Sequence, residues 1–315
     1  MISFRYHIVS IVSVFLALAV GIALGGGPLK GKIDNSLVKE LADRKHELAL
    51  THQQVRLLQD SQAYADSFAA GAAKPLLANK LTGATVAIVT LPTGNHDLRA
   101  TLGELVRLAG GKVSGTYDIA AKVGTVSNRQ LIETLTSQLA AQSTGIVIPA
   151  DASGYERLGI LVSRAVGTPQ ATGAPYDTTA QSIISGLSTA GLMSADGTPT
   201  GRAGLMLIVS GPASTTAASK AANSIFGRVL DAMSGNVVGI AVTGPSDAAR
   251  TGGMLKQVRS DANLNQKVTT VDSVETGAGQ VVTLLALARR LQGSVGQYGA
   301  VDAQDGVMPG ATATP

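Results

Sequence analysis

The side chains best suited to metal binding or proton transfer are the histidines and the acids near them. His96 and Asp97 follow the first predicted strand, where a histidine and a carboxylate could bind a metal or transfer a proton. Adjacent residues rarely aim at one atom and no second histidine follows in this region, so a solvated loop pair is the simpler interpretation. His46 and His52 lie in a predicted helix, where those of two paired chains could approach each other.

Two glycine-rich stretches match nucleotide-binding motifs only in part. GGPLKGKI, Gly26–Ile33, has the spacing of a phosphate-binding loop, but Ile33 stands where Ser or Thr would hold magnesium, and an apolar helix precedes it. Gly277–Gly279 lies between a predicted strand and helix, but Val282 replaces the third glycine of a dinucleotide fingerprint. We interpret the first as the basic flank of a membrane helix and the second as a tight turn.

Two acids follow predicted strands, and they have two interpretations. Asp151 and Asp247 could bind a cation at a common rim, but each also precedes a helical segment, where Asp is a preferred N-cap residue. Capping is the simpler interpretation. The chain has no Gly-x-Ser-x-Gly elbow and no cysteine, so the sequence predicts no catalytic residue, no cofactor site and no enzyme activity.

Composition narrows the classes of partner. The chain of 315 residues carries 25 basic and 21 acidic side chains, a formal charge of +4, and this small excess is spread along the sequence. Aromatic residues make up 3% and Trp is absent, so neither a basic patch nor a stacking platform for nucleic acid is evident. A hydrophobic content of 45% is ample for a packed core.

The elements that position these residues begin with an apolar segment. Residues from Ile8 to Leu29 include no ionisable side chain, and a helix of this length would extend roughly 33 Å, enough to cross a bilayer. We predict an uncleaved anchor over 1–32, with the short end cytoplasmic; a cleaved signal peptide is the alternative. Ala17, Gly21 and Gly25 recur every four residues, which indicates a face where two membrane helices could pack as a homodimer.

The next segment, 33–74, is polar and favours helix, and its apolar residues recur at heptad spacing. This pattern predicts a short coiled-coil stalk that pairs two chains, with an amphipathic helix folded onto its own domain as the alternative. The predicted seam consists of Leu37, Leu41, Leu48, Val55 and Leu58.

Residues 75–292 alternate short apolar runs with helical patterns, which predicts an α/β domain with a mainly parallel, Rossmann-like or flavodoxin-like sheet covered by helices. The predicted strands are Thr85–Leu91, Lys112–Tyr117, Gly145–Pro149, Leu205–Ser210, Val237–Thr243 and Lys267–Val274. Several strands end in turns such as TLPTG and VSGP, at the sheet edge where open α/β folds bind ligands. Residues 293–315 are poor in apolar side chains and are predicted to be a flexible tail.

Two terminal segments carry a family resemblance. MISFRYHIVSIVSVFLALAVGIALG, Met1–Gly25, and ALARRLQGSVGQYG, within Leu285–Gly299, resemble the actinobacterial copper transporter family, known in mycobacteria as MctB. The resemblance implies a role in copper efflux or copper tolerance at the cell envelope, and mycobacterial members are described as pore-forming outer-membrane proteins. A corynebacterial branch implies an alternative, a partner in a membrane complex that controls peptidoglycan hydrolysis during division.

The residues indicate how such a protein would contact copper. Copper(I) prefers thiolate and thioether ligands, but the chain has no Cys and its six Met are scattered. We therefore expect any copper contact to be indirect, through an envelope protein partner, with His46, His52, His96 and Asp97 as the weak metal candidates. The expected partners are membrane lipid, a second copy of the chain and that envelope protein, and not nucleic acid. The α/β domain is expected on the extracytoplasmic side of the membrane.

Overall fold

The computed structural model describes residues 4–26 and 28–310, with side chains described for 5–25 and 37–310. The chain divides into two compact units, 1–63 and 64–315. In the first unit, α1 (Phe4–Gly26) is almost entirely apolar, and every side chain described in it is exposed. Its stretch Arg5–Gly25 is long and apolar enough to cross a membrane. The predicted apolar helix is thus confirmed.

The predicted stalk is helical. Helix α2 (Pro28–Leu77) begins in the first unit and ends in the second. All five predicted seam residues are exposed in the single chain, so pairing into a coiled coil stays a prediction. Within the second unit, Ala69, Ala73 and Leu77 recur every four residues and are buried, because they pack one face of the last turns against the α/β domain.

The second unit is built on one seven-stranded sheet, as far as the described residues show, with the order β3-β2-β1-β4-β5-β6-β7. The strands are β1 (Thr85–Thr90), β2 (Lys112–Ile119), β3 (Met193–Asp196), β4 (Leu205–Val209), β5 (Gly239–Thr243), β6 (Val268–Val271) and β7 (Gln297–Tyr298). All neighbouring strands are parallel except β2 and β3. By number this order is that of the Rossmann fold, but β3 is antiparallel, and the parallel strands β2-β1-β4-β5-β6 alone follow the flavodoxin order. The sheet therefore agrees with both predicted topologies.

In the part of the chain that the structure describes, seven further α-helices cover the sheet. They are α3 (Leu98–Leu108), α4 (Arg129–Gln142), α5 (Gly154–Val166), α6 (Thr178–Thr189), α7 (Ala217–Ser234), α8 (Met254–Ser260) and α9 (Gly277–Arg290). The central strands alternate their side chains between two cores: Val89 packs with helices α4 to α8, and Ile88 packs with α3, α9 and the end of α2. Because both faces are covered, β4 is apolar throughout and β1 is apolar between its two terminal threonines, as the sequence predicted.

The predicted strand Gly145–Pro149 is wrong. The segment is an irregular connection between α4 and α5, and Val147 is 92% exposed. The edge position beside β2 is instead occupied by β3, which runs antiparallel. A run of β-branched residues forms a strand only where a neighbouring strand offers free N–H and C=O groups, and β3 already bonds to those of β2.

The predicted flexible tail is wrong for its first part. Within 293–310, β7 pairs with β6, and Gln297 and Tyr298 are buried. Polar residues hold the segment in place: the Gln297 side chain donates hydrogen bonds to the carbonyl oxygens of Asn265 (3.0 Å) and Val268 (3.1 Å). Low hydrophobicity therefore did not indicate disorder here. Residues 311–315 lie outside the described residues.

Candidate functional site

The site best placed for a ligand is the crevice at the carboxyl ends of β1 and β4. From β1 the chain proceeds to β2 on one side, whereas β4 continues to β5 and β6 on the other. Connections that leave in opposite directions open a crevice between the two strand ends, and open α/β sheets bind ligands there. The sequence prediction that turns TLPTG and VSGP lie at a common edge is confirmed, because β1 and β4 are neighbouring parallel strands.

Two glycines let the turns approach closely. A Cβ atom on Gly211 would lie 2.0 Å from the carbonyl oxygen of Thr93, and one on Gly94 would lie 2.6 Å from that of Val209. No larger residue fits without moving the backbone. The backbone N–H of Leu91 also donates to the Val209 carbonyl at 2.9 Å, so the two turns are held together at the base of the crevice.

The crevice is a cavity of about 430 Å³, and the described residues that line it include no charged side chain. Apolar residues such as Pro92, Phe226 and Met254 form part of the wall, and hydroxyl and amide groups form the rest. Several of these polar groups already form hydrogen bonds within the domain. Ser210 Oγ donates to the carbonyl oxygen of Thr243 at 3.0 Å, and the side-chain amide of Asn223 donates to the carbonyl oxygen of Gly252 at 2.9 Å. Such a lining could hold a neutral ligand but supplies no acid–base group.

A buried ion pair joins α8 to the end of β6, and the sequence analysis missed it. Arg259 is 4% exposed and Asp272 is fully buried, with Arg259 Nη2 3.1 Å from Asp272 Oδ2. Arg259 also donates to Thr270 Oγ1 (2.8 Å) and to the carbonyl oxygens of Tyr298 (2.7 Å) and Val301. Burial lowers the pKa of Arg259 below its usual range, and the charge of Asp272 opposes that shift.

Asp272 completes the attachment of the C-terminal segment. Its Oδ1 accepts the backbone N–H of Ala300 at 2.7 Å, and its Oδ2 accepts that of Val301 at 3.2 Å. Gly299 has a φ angle of +134°, and a Cβ atom there would lie 2.2 Å from the Asp272 carboxylate. The motif ending in Gly299, which carried the family resemblance, is therefore the segment that this ion pair holds against the sheet.

The predicted metal residues do not converge. His96 Nδ1 lies 3.2 Å from Asp118 Oδ1, and Arg99 lies 3.0 Å from the other oxygen of that carboxylate, so His96 lies beside the Arg99–Asp118 ion pair. The Asp97 side chain is not among the described partners of His96. The backbone N–H of Asp97 donates to Asn95 Oδ1. Among the described residues no group of three or more metal-binding side chains forms. His46 and His52 are exposed on α2, and a single chain does not test their approach.

The predicted tight turn at Gly277–Gly279 is wrong, because these residues form the first turn of α9, with Thr276 as its N-cap. A Cβ atom on Gly279 would lie 2.0 Å from the carbonyl oxygen of Ser273, and the Gly279 N–H donates to Thr276 Oγ1, which caps α9. The Gly277 N–H donates to Asp66 Oδ1 of α2 at 2.7 Å, so a carboxylate of this chain already occupies the start of α9. The side chains of Gly26–Ile33, the other glycine-rich stretch, lie outside the described residues.

The predicted capping roles of Asp151 and Asp247 are wrong. Ser153 caps α5 and forms a capping box with Glu156. Asp247 lies inside a short 3-10 helix, Ser246–Ala249, and Gly253 precedes α8. The strand that would have brought Asp151 to the same rim as Asp247 does not form, which removes the reason to expect a shared cation site.

The membrane-dimer face predicted on α1 lies in an exposed helix. Nothing approaches within 4 Å of a Cβ atom built on Gly21 or Gly25. Ala17 is exposed on the same helix. Whether this face contacts a second copy stays a prediction, since the structure contains one chain.

Together, the fold and the apolar helix define a class: an α/β domain with a mostly parallel sheet, preceded by an N-terminal helix long and apolar enough to cross a membrane, with a crevice at the switch point whose described lining is uncharged. A family model described as "Copper transport outer membrane protein, MctB" matches residues 1–309. The chain belongs to this family, which indicates a membrane-associated protein. The resemblance noted from the sequence is thus confirmed.

Curated mycobacterial proteins are similar to this chain over almost their whole length. "Copper transporter MctB" of Mycobacterium tuberculosis is 29% identical over 312 residues, covering 95% of this chain and 96% of that protein. The protein of the same name from Mycobacterium bovis has the same identity and coverage. The protein of the same name from Mycobacterium leprae is 27% identical over 311 residues, which cover 95% of this chain and 96% of that protein.

Proposed function

We propose that this protein supports copper efflux and copper tolerance at the cell envelope, as a non-catalytic homodimer anchored in a membrane by α1. The observation that carries the proposal is the family match across residues 1–309, together with relatives named copper transporters that cover 95% of the chain. The α/β domain is proposed to lie on the extracytoplasmic side of that membrane, with α1 as the anchor.

Copper contact is proposed to be indirect. The chain has no Cys, and among the described residues that line the crevice Met254 is the one thioether, whereas a copper(I) site would need several soft ligands. His96 is already engaged with Asp118, a hard carboxylate, and Arg99 beside it repels a cation. These features favour a role in which a partner protein carries the metal.

The homodimer is proposed to form through two surfaces of the first unit. The small-residue face of α1, at Ala17, Gly21 and Gly25, suits close packing in lipid. On α2, Leu41, Leu48 and Val55 are seven residues apart and are 44–57% exposed, and burying them against a second copy would remove apolar area from water.

A second candidate function is a scaffold or regulator of an envelope complex, for example one that controls peptidoglycan hydrolysis during division. The uncharged crevice favours it, since a site without acid–base groups or a metal-binding cluster suits binding better than chemistry. In this alternative the partner is an envelope protein and copper plays no direct part.

Complementation separates the two functions. In an actinobacterial host that lacks its own gene of this family, we expect the wild-type chain to restore growth in the presence of copper. Because copper contact is indirect, the triple variant His46→Ala/His52→Ala/His96→Ala is expected to restore growth equally. The measurement is the copper concentration that stops growth.

A variant that lacks residues 4–26 serves as the matched control and is expected to fail, because it cannot be anchored. Loss of tolerance in the triple variant alone would contradict indirect contact. Failure of the wild-type chain to restore copper tolerance, with recovery of normal division, would replace the copper role with the scaffold.

A further inference from the structure

A second cavity lies between the three helices α4, α5 and α7, and the proposed copper role gives it no function. It has a volume of about 240 Å³ and is lined by the start of α4, the start of α5 and the middle of α7. Three of its side chains carry polar groups for which the described residues provide no ion-pair or hydrogen-bond partner: Arg129 of α4, Arg228 of α7 and the hydroxyl of Tyr155 of α5. We call this cavity the arginine groove.

The two arginines provide a positive charge that the acids nearby neutralise only in part. In the part of the chain that the structure describes, neither Arg129 nor Arg228 forms an ion pair, whereas Arg157 nearby is paired with Glu133. Both guanidinium groups are exposed and come from different helices. Guanidinium groups on two walls of one cavity are suited to an oxyanion, because each can donate two parallel hydrogen bonds to it.

The acids near the groove are committed elsewhere. Glu133 is paired with Arg157 and accepts the backbone N–H of Gly154 at 2.7 Å. Glu156 accepts the backbone N–H of Ser153 at 2.6 Å in the capping box. These hydrogen bonds, more than the charge of Arg228, hold the pKa of Glu156 below its usual range. With two acids and three arginines, the local balance is one positive charge in excess.

The Tyr155 hydroxyl is the observation that indicates a ligand. The residue is 7% exposed, and its oxygen has no hydrogen-bond partner among the described residues. A buried hydroxyl without a partner costs free energy, and a bound acceptor would recover it. Burial raises the pKa of Tyr155, although Arg129 and Arg228 oppose that shift, so the hydroxyl keeps its proton at neutral pH and can donate it.

We propose that the arginine groove binds a small oxyanion of the phosphate class, held by Arg129 and Arg228 and by a hydrogen bond donated from the Tyr155 hydroxyl. The N-terminus of α5 is not the source of the site, because Ser153 and Glu133 already occupy its first N–H groups. The phosphate could be free or could be the headgroup of a lipid or envelope polymer, since the chemistry that the groove recognises is the same.

The test uses the full-length protein in a maltoside detergent, which carries no phosphate. Inorganic phosphate is titrated against chloride at equal ionic strength, and the midpoint of thermal unfolding is measured, because a ligand of the folded state raises it by mass action. We expect phosphate to raise the midpoint in the wild type. Arg129→Gln/Arg228→Gln should abolish the effect, and Tyr155→Phe, which removes one oxygen, should weaken binding by roughly tenfold.

The control Arg107→Gln/Arg289→Gln removes the same charge from α3 and α9 and should bind phosphate like the wild type. Equal loss in both double variants, or no gain from phosphate over chloride in the wild type, would overturn the proposal, as would a Tyr155→Phe variant with unchanged affinity.

Glycerophosphoglycerol, the soluble headgroup of phosphatidylglycerol, is titrated in parallel. Tighter binding than that of inorganic phosphate identifies a lipid headgroup as the source of the phosphate, and weaker binding identifies the free ion.

Discussion

Replacing Asp272 by alanine is expected to lower the free energy of unfolding by about 3–5 kcal/mol, because it leaves the buried guanidinium of Arg259 without its counter-charge. It also removes the acceptor for the backbone N–H groups of Ala300 and Val301, so the segment after β7 loses its attachment. Domains are commonly stable by about 5–15 kcal/mol, so this loss is a large share of the total. Urea denaturation of the full-length protein, followed by circular dichroism, measures it.

Two further variants show whether the ion pair itself is responsible. Asp302→Asn removes an acid from the same segment, and Asn tolerates the left-handed backbone of this position, where φ is +50°. Its partner Lys256 is exposed, so stability should change little. Arg259→Met/Asp272→Asn removes both charges and should be less destabilised than the sum of the single variants, because neither charge remains unpaired. If Asp272→Ala were no more destabilised than Asp302→Asn, the ion pair would not be what holds the segment.

The arrangement of the sheet could be predicted from the sequence where local pattern and tertiary packing agree. Strands β1 and β4 are runs of apolar residues buried on both faces, and nothing in their local sequence competes with that role. The turns after them contain the glycines that the close approach of Thr93 and Gly211 requires. For the same reason the sequence could place the crevice at the carboxyl ends of these strands.

The errors arose where the structure depends on a distant partner. Gly145–Pro149 has the composition of a strand, but strand pairing requires a free neighbouring edge, and β3 from a later part of the chain occupies it. Residues 297–301 have the composition of a tail, but their polar groups bond to buried residues of β6 and α8. Composition records the hydrophobicity of a segment and not the hydrogen-bond partners available to it.

The sites show the same limit. Arg259 and Asp272 are thirteen residues apart, and nothing in the sequence distinguishes them from exposed charges, because burial of a pair depends on the segment that covers it. Likewise His96 was singled out beside its neighbour in sequence, whereas its partner Asp118 lies at the end of the adjacent strand. Pairs across parallel strands are visible only once the strand order is known.

The stalk variants test the proposed dimer directly. Because the chain has no Cys, Leu41→Cys provides a single reporter that crosslinks two copies in native membranes if α2 pairs along the predicted seam. Adding Leu48→Asp/Val55→Asp should abolish the crosslink. It replaces apolar side chains at the seam by charges in both chains, which should weaken dimerisation on the order of 100-fold or more.

Leu50 and Leu57 provide the matched control, because each follows a seam position by two residues and is similarly exposed in the single chain. On a helix that spacing turns a side chain away from the seam, so Leu50→Asp/Leu57→Asp should leave the crosslink intact. Loss of the crosslink in both double variants would mean that α2 buries its leucines in some other way than a two-stranded coiled coil. An intact crosslink in both would place the dimer contact on α1 alone, where Gly21 and Gly25 leave room for a second helix.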